Sequence, residues 1–429
     1  MRLTQLTKLI AALIGFVHIA ALKARFAVFP PRARAGAPRR LLVLGYAAIG
    51  DLIFLLPALR LLRESFPGAR ITFVADLYAG TADILPSSKL VDDIWLYEHE
   101  ELASGRVRRA LARRFAAADF DAVVVSQATP MRPFAAAILP IPTRIGHWRP
   151  LEAPHAGWPA ARYALWRLKR ALISDEFERR LALNCPILVR EDGEHTVARN
   201  LRLLEPLGLS PPSAIDCRPS LPMPAAAAEF AARELPAALG LKTVGLHIGK
   251  ASSAYAKVWP AARWGETCRA LARRYPLRLV LFGGPDEKDL IAPFADAFQG
   301  PIVDLVGRCG ILESFAAIGR CDLFLGNDTG LAKAAMALGT PTLTVWGPSD
   351  RFGHGIVWEP GKHTEVFRPM PCAPCVRMGL RAEGAGVINF SNCGHRACLA
   401  ALAPETVADA AARRYGVLLA AAPPSKKLK

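Results

Sequence analysis

Nine cysteines in a chain of 429 residues are too few to staple a fold of this size, and their odd number cannot pair completely. A disulfide framework is thereby excluded and a reducing compartment is expected. Charge is modest, at 21% against 52% hydrophobic residues, which excludes a disordered chain. Acidic residues are absent altogether from positions 1–40. In that stretch Arg2, Lys8, Lys23, Arg25, Arg32, Arg34, Arg39 and Arg40 supply eight of the seventeen net positive charges. The length suits two domains, each with its own core.

A basic surface favours anionic partners such as nucleic acid, anionic lipid, or phosphorylated glycans and nucleotides. Part of the excess is compositional, because the chain is also rich in Ala, as at residues 116–118 and 225–228. Nucleic acid is not expected as a partner, since about half the excess sits beside an apolar segment rather than in a groove-reading motif. That segment, residues 9–22, is bracketed by Lys8 and Lys23. As a helix it reaches about 21 Å, short of the ~30 Å hydrocarbon core. It is open to being a signal h-region, a spanning helix extended through residues 26–29, or a helix packed on the protein itself. The reading adopted is an uncleaved leader, residues 1–38, whose apolar helix lies in the membrane interface with its basic flanks held by anionic lipid.

Beyond the leader, short apolar runs alternate with helical stretches. Residues 41–44, 71–74, 94–97 and 122–125 read as buried parallel strands. Residues 147–193, with Trp148, Trp158, Trp166 and several prolines, break the rhythm and read as an insertion or loops bordering a cleft. Residues 208–240 are rich in Pro and Ala and suit a linker followed by a helix. The alternation restarts at 244–247, 279–282, 302–305, 323–326 and 342–345. The expected architecture is α/β, with two Rossmann-like domains facing each other across a cleft. They are placed at residues 39–210 and 241–415, with a linker at 211–240 and a basic tail at 416–429. In such sheets ligands bind beyond the carboxyl ends of the strands, and the chemistry-bearing segments fall there.

Gly45-Tyr46-Ala47-Ala48-Ile49-Gly50-Asp51-Leu52 follows the first strand. It lacks the Lys-Ser/Thr of a P-loop and the Gly-x-Gly-x-x-Gly of a dinucleotide site. What it offers is a strand-to-helix turn with one carboxylate, Asp51, open to being a helix cap or a general base. His247-Ile248-Gly249-Lys250-Ala251-Ser252-Ser253 follows a later strand and offers a backbone nest for phosphate, with Lys250 or Lys257 as cations for a diphosphate, or as solvated surface lysines. Gly326-Asn327-Asp328-Thr329-Gly330 closes another strand and opens a helix, an anion site or an ordinary cap. Arg144 and His147, at the edge of the irregular stretch, are candidates to meet a phosphorylated acceptor, with a solvated loop as the alternative. Cys372 and Cys375, with Cys393 and Cys398, resemble a zinc ribbon in outline. The C-x4-C spacing of the second pair and the proline in the first favour reduced thiols or a local disulfide instead. Asp119-Phe120-Asp121 has the spacing used by metal-dependent sugar transferases, but it precedes a strand and reads as a turn.

These segments resemble glycosyltransferase family 9, the bacterial lipopolysaccharide heptosyltransferases, over roughly residues 39–415. The resemblance rests on Gly50-Asp51, Lys257-x-Trp259-Pro260 with Trp264, and Asn327-Asp328-Thr329-Gly330 followed by Gly339-Thr340-Pro341 and Gly347-Pro348. It implies a GT-B fold and an inverting, metal-independent transferase with no cofactor. An N-terminal domain would hold a lipid-linked saccharide acceptor around Gly50, Arg144 and His147, and Asp51 would be the general base. A C-terminal domain would bind an ADP-sugar donor through Gly249, Lys250, Ser252, Lys257, Asp328, Thr329, Gly330 and Lys333. The implied location is the cytoplasmic face of the bacterial inner membrane. The chain departs from the family pattern in two places: Lys333 stands where a His is usual, and the C-terminal Cys region is stretched by residues 382–392.

Overall fold

The computed structural model describes residues 21, 24, 36–45, 48–76, 81–98, 101, 104–126, 134–148, 179, 181–189, 193–238, 240–249, 257–370, 373–374 and 396–420. The leader, Lys250, Ser252, Cys372, Cys375 and Cys393 lie outside these residues, apart from isolated leader positions. No helix among the described residues is long and apolar enough to cross a membrane.

The chain divides into two compact units, Met1–Ser213 and Ala214–Lys429. In the first, strands β1 (Arg40–Leu44), β2 (Arg70–Asp76), β3 (Asp93–Tyr97), β4 (Ala122–Val125), β5 (Thr143–Trp148) and β6 (Cys185–Leu188) form one sheet. Its helices are α1 (Ile49–Ser65), α2 (Thr81–Ser88), α3 (Gly105–Ala118), α4 (Ala135–Ile138) and α5 (Thr196–Arg202). The sheet is parallel throughout, in the order β3-β2-β1-β4-β5-β6. Parallel strands covered on both faces are apolar along their whole length; after Arg40, β1 is buried at every position. Helix α1 buries Leu52 to Leu59 without a break, as a helix packed on several sides does. The buried Asn200 of α5 donates its Nδ2–H to Phe54 O at 3.1 Å, tying α5 to α1. By contrast α3 is amphipathic, burying Leu111 and Phe115 one turn apart while its arginines face outward.

The second unit repeats the plan with β7 (Lys242–His247), β8 (Leu277–Phe282), β9 (Ile302–Asp304), β10 (Leu323–Asn327), β11 (Thr342–Trp346) and β12 (His363–Phe367). Its helices are α6 (Ala225–Glu234), α7 (Ala261–Ala272), α8 (Ile291–Ala297), α9 (Ile311–Ile318), α10 (Gly330–Leu338), α11 (Arg351–His354), α12 (Ala397–Ala400) and α13 (Pro404–Leu419). The order is β12-β11-β10-β7-β8-β9, again all parallel. Read from its first strand this is the same sequence of neighbours as in the first unit. In both, the order reverses between the first and fourth strands, and the carboxyl ends flanking that reversal are where such sheets bind ligands.

Three strands go beyond those expected from apolar runs. β6 and β12 are edge strands: β12 mixes polar with apolar residues, whereas β6 carries an apolar run, Cys185 to Leu188, within the stretch expected to be irregular. β5 is internal, yet Arg144, Gly146 and His147 interrupt its apolar pattern; all three are buried, and the Arg144 guanidinium and His147 Nε2 bond to backbone carbonyl oxygens. Residues 147 and 148, expected to begin an irregular stretch, are therefore the end of a strand. Helix α13 also runs past residue 415 to a fully buried Leu419, so residues 416–419 belong to the helix rather than to a tail.

Candidate active site

In the second unit the reversal point lies between β7 and β10, where Gly326 is in register with His247. Asn327, 1% exposed, ends β10 and ties the neighbouring loops together. Its Oδ1 accepts Trp259 N–H at 3.4 Å and its Nδ2–H donates to Ile248 O. Trp259 packs edge-on against Trp264 at 5.0 Å and anchors its indole N–H on Leu399 O at 3.2 Å. The Lys-x-Trp-Pro segment is thus fixed by its tryptophan, and Lys257 is delivered to the strand end.

Asp328 sits between two lysines. Lys257 Nζ donates to Oδ2 at 3.2 Å, and the ammonium of Lys333, itself only 4% exposed, pairs with Oδ1. Lys333 also lies 4.6 Å from the centre of the Trp346 ring. Burial by itself raises the Asp328 pKa, but the charges of Lys257 and Lys333 outweigh it and hold the carboxyl well below the usual carboxylate range. Two ammonium groups from different segments thus converge on one carboxylate at the strand end.

Thr329 is the N-cap of α10, its Oγ1 accepting Ala332 N–H at 3.4 Å, and Gly339 in the left-handed region ends the helix. Its first residues, Gly330 and Leu331, therefore point backbone N–H groups toward the strand end. Gly249 has φ +78°, and a Cβ there would lie 2.8 Å from Thr329 Cγ2. Glycine is needed at that position both for its backbone and for the close approach. His247, the last residue of β7, reaches Thr329 Oγ1 through Nδ1 at 2.9 Å and Glu287 Oε2 through Nε2 at 3.1 Å. Glu287 follows β8 and also accepts Gly284 N–H at 2.8 Å.

The structure thus brings Gly249, Lys257, Asp328, Thr329, Gly330 and Lys333 to one strand-end region. Sequence reasoning did not select Glu287 or His247 as site residues. The signal for Glu287 was available: Gly283-Gly284-Pro285-Asp286-Glu287 directly follows an apolar strand, the same pattern that singled out the other segments.

In the first unit, Gly50 and Asp51 occupy the first turn of α1, after β1 at that sheet's own reversal point. The N-cap position is Ala48, which supplies no side-chain cap, so the acidic group of that first turn is Asp51. The expectation that Arg144 and His147 meet an acceptor is corrected by their burial. Arg144 Nε donates to Ala182 O at 2.7 Å and Nη1 to Leu139 O at 3.3 Å and to Ile141 O. Burial lowers its pKa. His147 Nε2–H donates to Arg199 O at 2.9 Å, and burial, reinforced by the Arg179 charge, pushes its pKa down to about 3. Both side chains hold β5 to its surroundings.

The one D-x-D pair is likewise structural. Asp121 Oδ2 accepts the backbone N–H groups of Arg39 at 2.7 Å and Arg40 at 2.9 Å, fixing the start of β1. Among the described residues no cluster of His, Cys, Asp and Glu has the arrangement of a metal site. Cys398, the described member of the cysteine set, is buried on α12.

Comparison with known proteins accords with this geometry. Residues 108–385 match the model of glycosyltransferase family 9 (heptosyltransferase). A lipopolysaccharide heptosyltransferase 3 of Escherichia coli is 30% identical over 195 residues, 43% of this chain and 54% of that protein, so this match spans about half the relative. Its counterpart from strain K12 is 24% identical over 325 residues, 72% of this chain and 82% of its own. Among solved structures, a family 9 glycosyltransferase from Veillonella parvula superposes with a TM-score of 0.65 at 19% identity, covering 90% of this chain and 99% of that one. With two parallel six-stranded sheets of matching order, and a family match over most of its length, the chain belongs to glycosyltransferase family 9 and is a glycosyltransferase of the GT-B fold class.

Proposed function

We propose that this protein is an inverting, metal-independent transferase that moves a heptose or a related sugar from an ADP-sugar to a lipid-linked saccharide such as lipopolysaccharide core. The observation that carries the reading is the Lys257–Asp328–Lys333 cluster at the β7–β10 reversal point, beside the amino end of α10. Two fixed ammonium groups and helix N–H donors offer the charge stabilisation that a departing diphosphate requires. In this reading they do what a divalent cation does in other transferases. The relatives named as lipopolysaccharide heptosyltransferases supply the sugar and the acceptor class.

Asp51 acts as the base. It takes the proton of the acceptor hydroxyl as that oxygen bonds to the anomeric carbon, while the bond from that carbon to the diphosphate oxygen breaks and ADP leaves with the electron pair. Attack from the face opposite the leaving group inverts the anomeric centre. Gly50 lets the acceptor approach the α1 turn, and Gly249, Thr329 and Gly330 line the donor phosphates. Lys250 and Ser252, outside the described residues, are assigned to the same donor phosphates. The leader docks the enzyme on anionic lipid at the cytoplasmic face of the inner membrane, where its acceptor resides. A second reading, transfer of a different sugar, is favoured by Lys333 in the position where the family pattern carries His.

Calorimetric titration of the protein with ADP, UDP and GDP tests the donor. Selective ADP binding is expected; preference for UDP or GDP would discard the ADP-heptose assignment. Activity is expected to survive EDTA, and a loss restored by Mg²⁺ or Mn²⁺ would overturn the metal-free mechanism.

A further inference from the structure

Three side chains from three strand ends form one hydrogen-bonded chain beside the donor site, and the proposed reaction gives its middle member no part. His247 joins the Glu287 carboxylate through Nε2 and the Thr329 hydroxyl through Nδ1, at 3.1 Å and 2.9 Å. The ring and the carboxylate are both buried. The proton positions follow from what each atom is able to do. Glu287 Oε2 also takes the Gly284 N–H, so it is an acceptor, and a ring with a single proton carries it on Nε2. Nδ1 is then a bare lone pair, and Thr329 donates its O–H to it while Oγ1 accepts the Ala332 N–H. In this state the hydroxyl proton is turned inward. Thr329 offers an incoming phosphate oxygen only lone pairs, although the neighbouring Lys257 and Lys333 attract that oxygen.

A second ring proton reverses the chain. Nδ1–H then donates to Oγ1, and the hydroxyl turns its own proton outward as a donor. We infer that His247 is a positioning residue that converts Thr329 from an acceptor to a donor when a diphosphate arrives, the ring taking one proton from solvent onto Nδ1. The negative charge of the phosphate stabilises the imidazolium, Glu287 holds its far side, and the outward hydroxyl meets the leaving oxygen as charge develops on it. Placing this at the diphosphate of an ADP-sugar rests on the donor reading above; the ring chemistry itself asks only for a phosphate anion.

The test is NMR of the full-length protein carrying ¹⁵N-labelled histidine rings, with His247 assigned by the signal lost in His247→Gln. Inorganic pyrophosphate and ADP are the probes. The ligand-free ring is expected as the neutral Nε2–H form, converted to the imidazolium by saturating pyrophosphate. His247→Gln is expected to weaken pyrophosphate binding about tenfold, the loss of one hydrogen bond to a charged group. Thr329→Ser, which keeps the hydroxyl, should reproduce the wild-type ring shift, and Thr329→Val should abolish it. A ligand-free ring protonated on Nδ1, a ring unmoved by saturating pyrophosphate, or the absence of pyrophosphate binding overturns the assignment. If pyrophosphate moves the ring and ADP fails to bind, His247 keeps its role and the ADP-sugar reading falls instead.

Discussion

The reversal point of the first sheet lies beside Gly50 and Asp51, one carboxylate in the opening turn of a helix whose N-cap is an alanine. The reversal point of the second sheet, identical in strand order, is crowded. Asn327 ties three segments together, Asp328 is clasped by two lysines, and Thr329 is linked through His247 to Glu287. In the proposed function the same scaffold serves two kinds of site. A helix turn that presents an acidic side chain at a strand end suits proton removal, the role proposed for Asp51. A strand end that holds fixed opposite charges and oriented N–H groups suits an anion, because such a site needs little reorganisation when charge develops on the ligand. Among the described residues, the difference lies in those just past the strands.

The sharpest way to break this comparison is Asp51→Asn. Donor affinity should be unchanged while kcat falls by a factor on the order of 10²–10⁴. Titration with ADP beside turnover on a solubilised acceptor checks it, and near-normal turnover would remove Asp51 as base and leave the first reversal point without a chemical role. Lys333→Met strikes the second reversal point. Asp328 keeps Lys257 but loses its buried partner, and unfolding free energy from urea denaturation should drop by roughly 1–3 kcal/mol. The sign of the accompanying pH effect follows from the lowered Asp328 pKa. The unfolded chain binds the proton more readily, so this contribution is complete above about pH 4 and is lost as the pH falls further. In the variant that acid-side loss should be shallower.

Gly249→Ala should cost about 1–2 kcal/mol, since alanine must adopt the left-handed backbone and its methyl meets Thr329. A shift of the urea midpoint without a change in slope is the expected signature, and no shift would mean that the β7 loop relaxes freely. The smallest effect near neutral pH belongs to His147, in the first unit. Its pKa falls from 6.5 when unfolded to about 3 when folded, so the unfolded state holds more protons between those values. Stability is therefore full above about pH 6.5 and declines as the pH drops toward 3. His147→Gln should flatten that decline. An unchanged pH profile would show that His147 is already solvated.

Much of this was legible in the chain itself. Uninterrupted apolar runs such as residues 41–44 and 323–326 announce buried parallel strands, because a strand covered on both faces has no polar side to show. Motifs placed directly after such runs, Gly50-Asp51 and Asn327-Asp328-Thr329-Gly330, are in position to act because of where strands end. β5 was hidden because its Arg144 and His147 read as polar loop residues, and only the folded surroundings show carbonyl oxygens waiting for them. β12 was hidden because an edge strand tolerates polar residues, and β6 because its short apolar run lies within a stretch whose tryptophans and prolines read as loops.

What the sequence alone determined is the α/β alternation, the repeat of that alternation, and the strand-end positions of the acidic and glycine-bearing turns. These depend on local periodicity and on neighbours close in the chain. Only the tertiary structure decided that Lys257 and Lys333 converge on one carboxylate, that His247 joins Glu287 to Thr329, and that Arg144 and His147 turn inward. Those contacts link residues 40 to 82 positions apart or depend on which side chains share one buried volume. Burial sets the energy of a charge through its whole surroundings, and no local pattern records them.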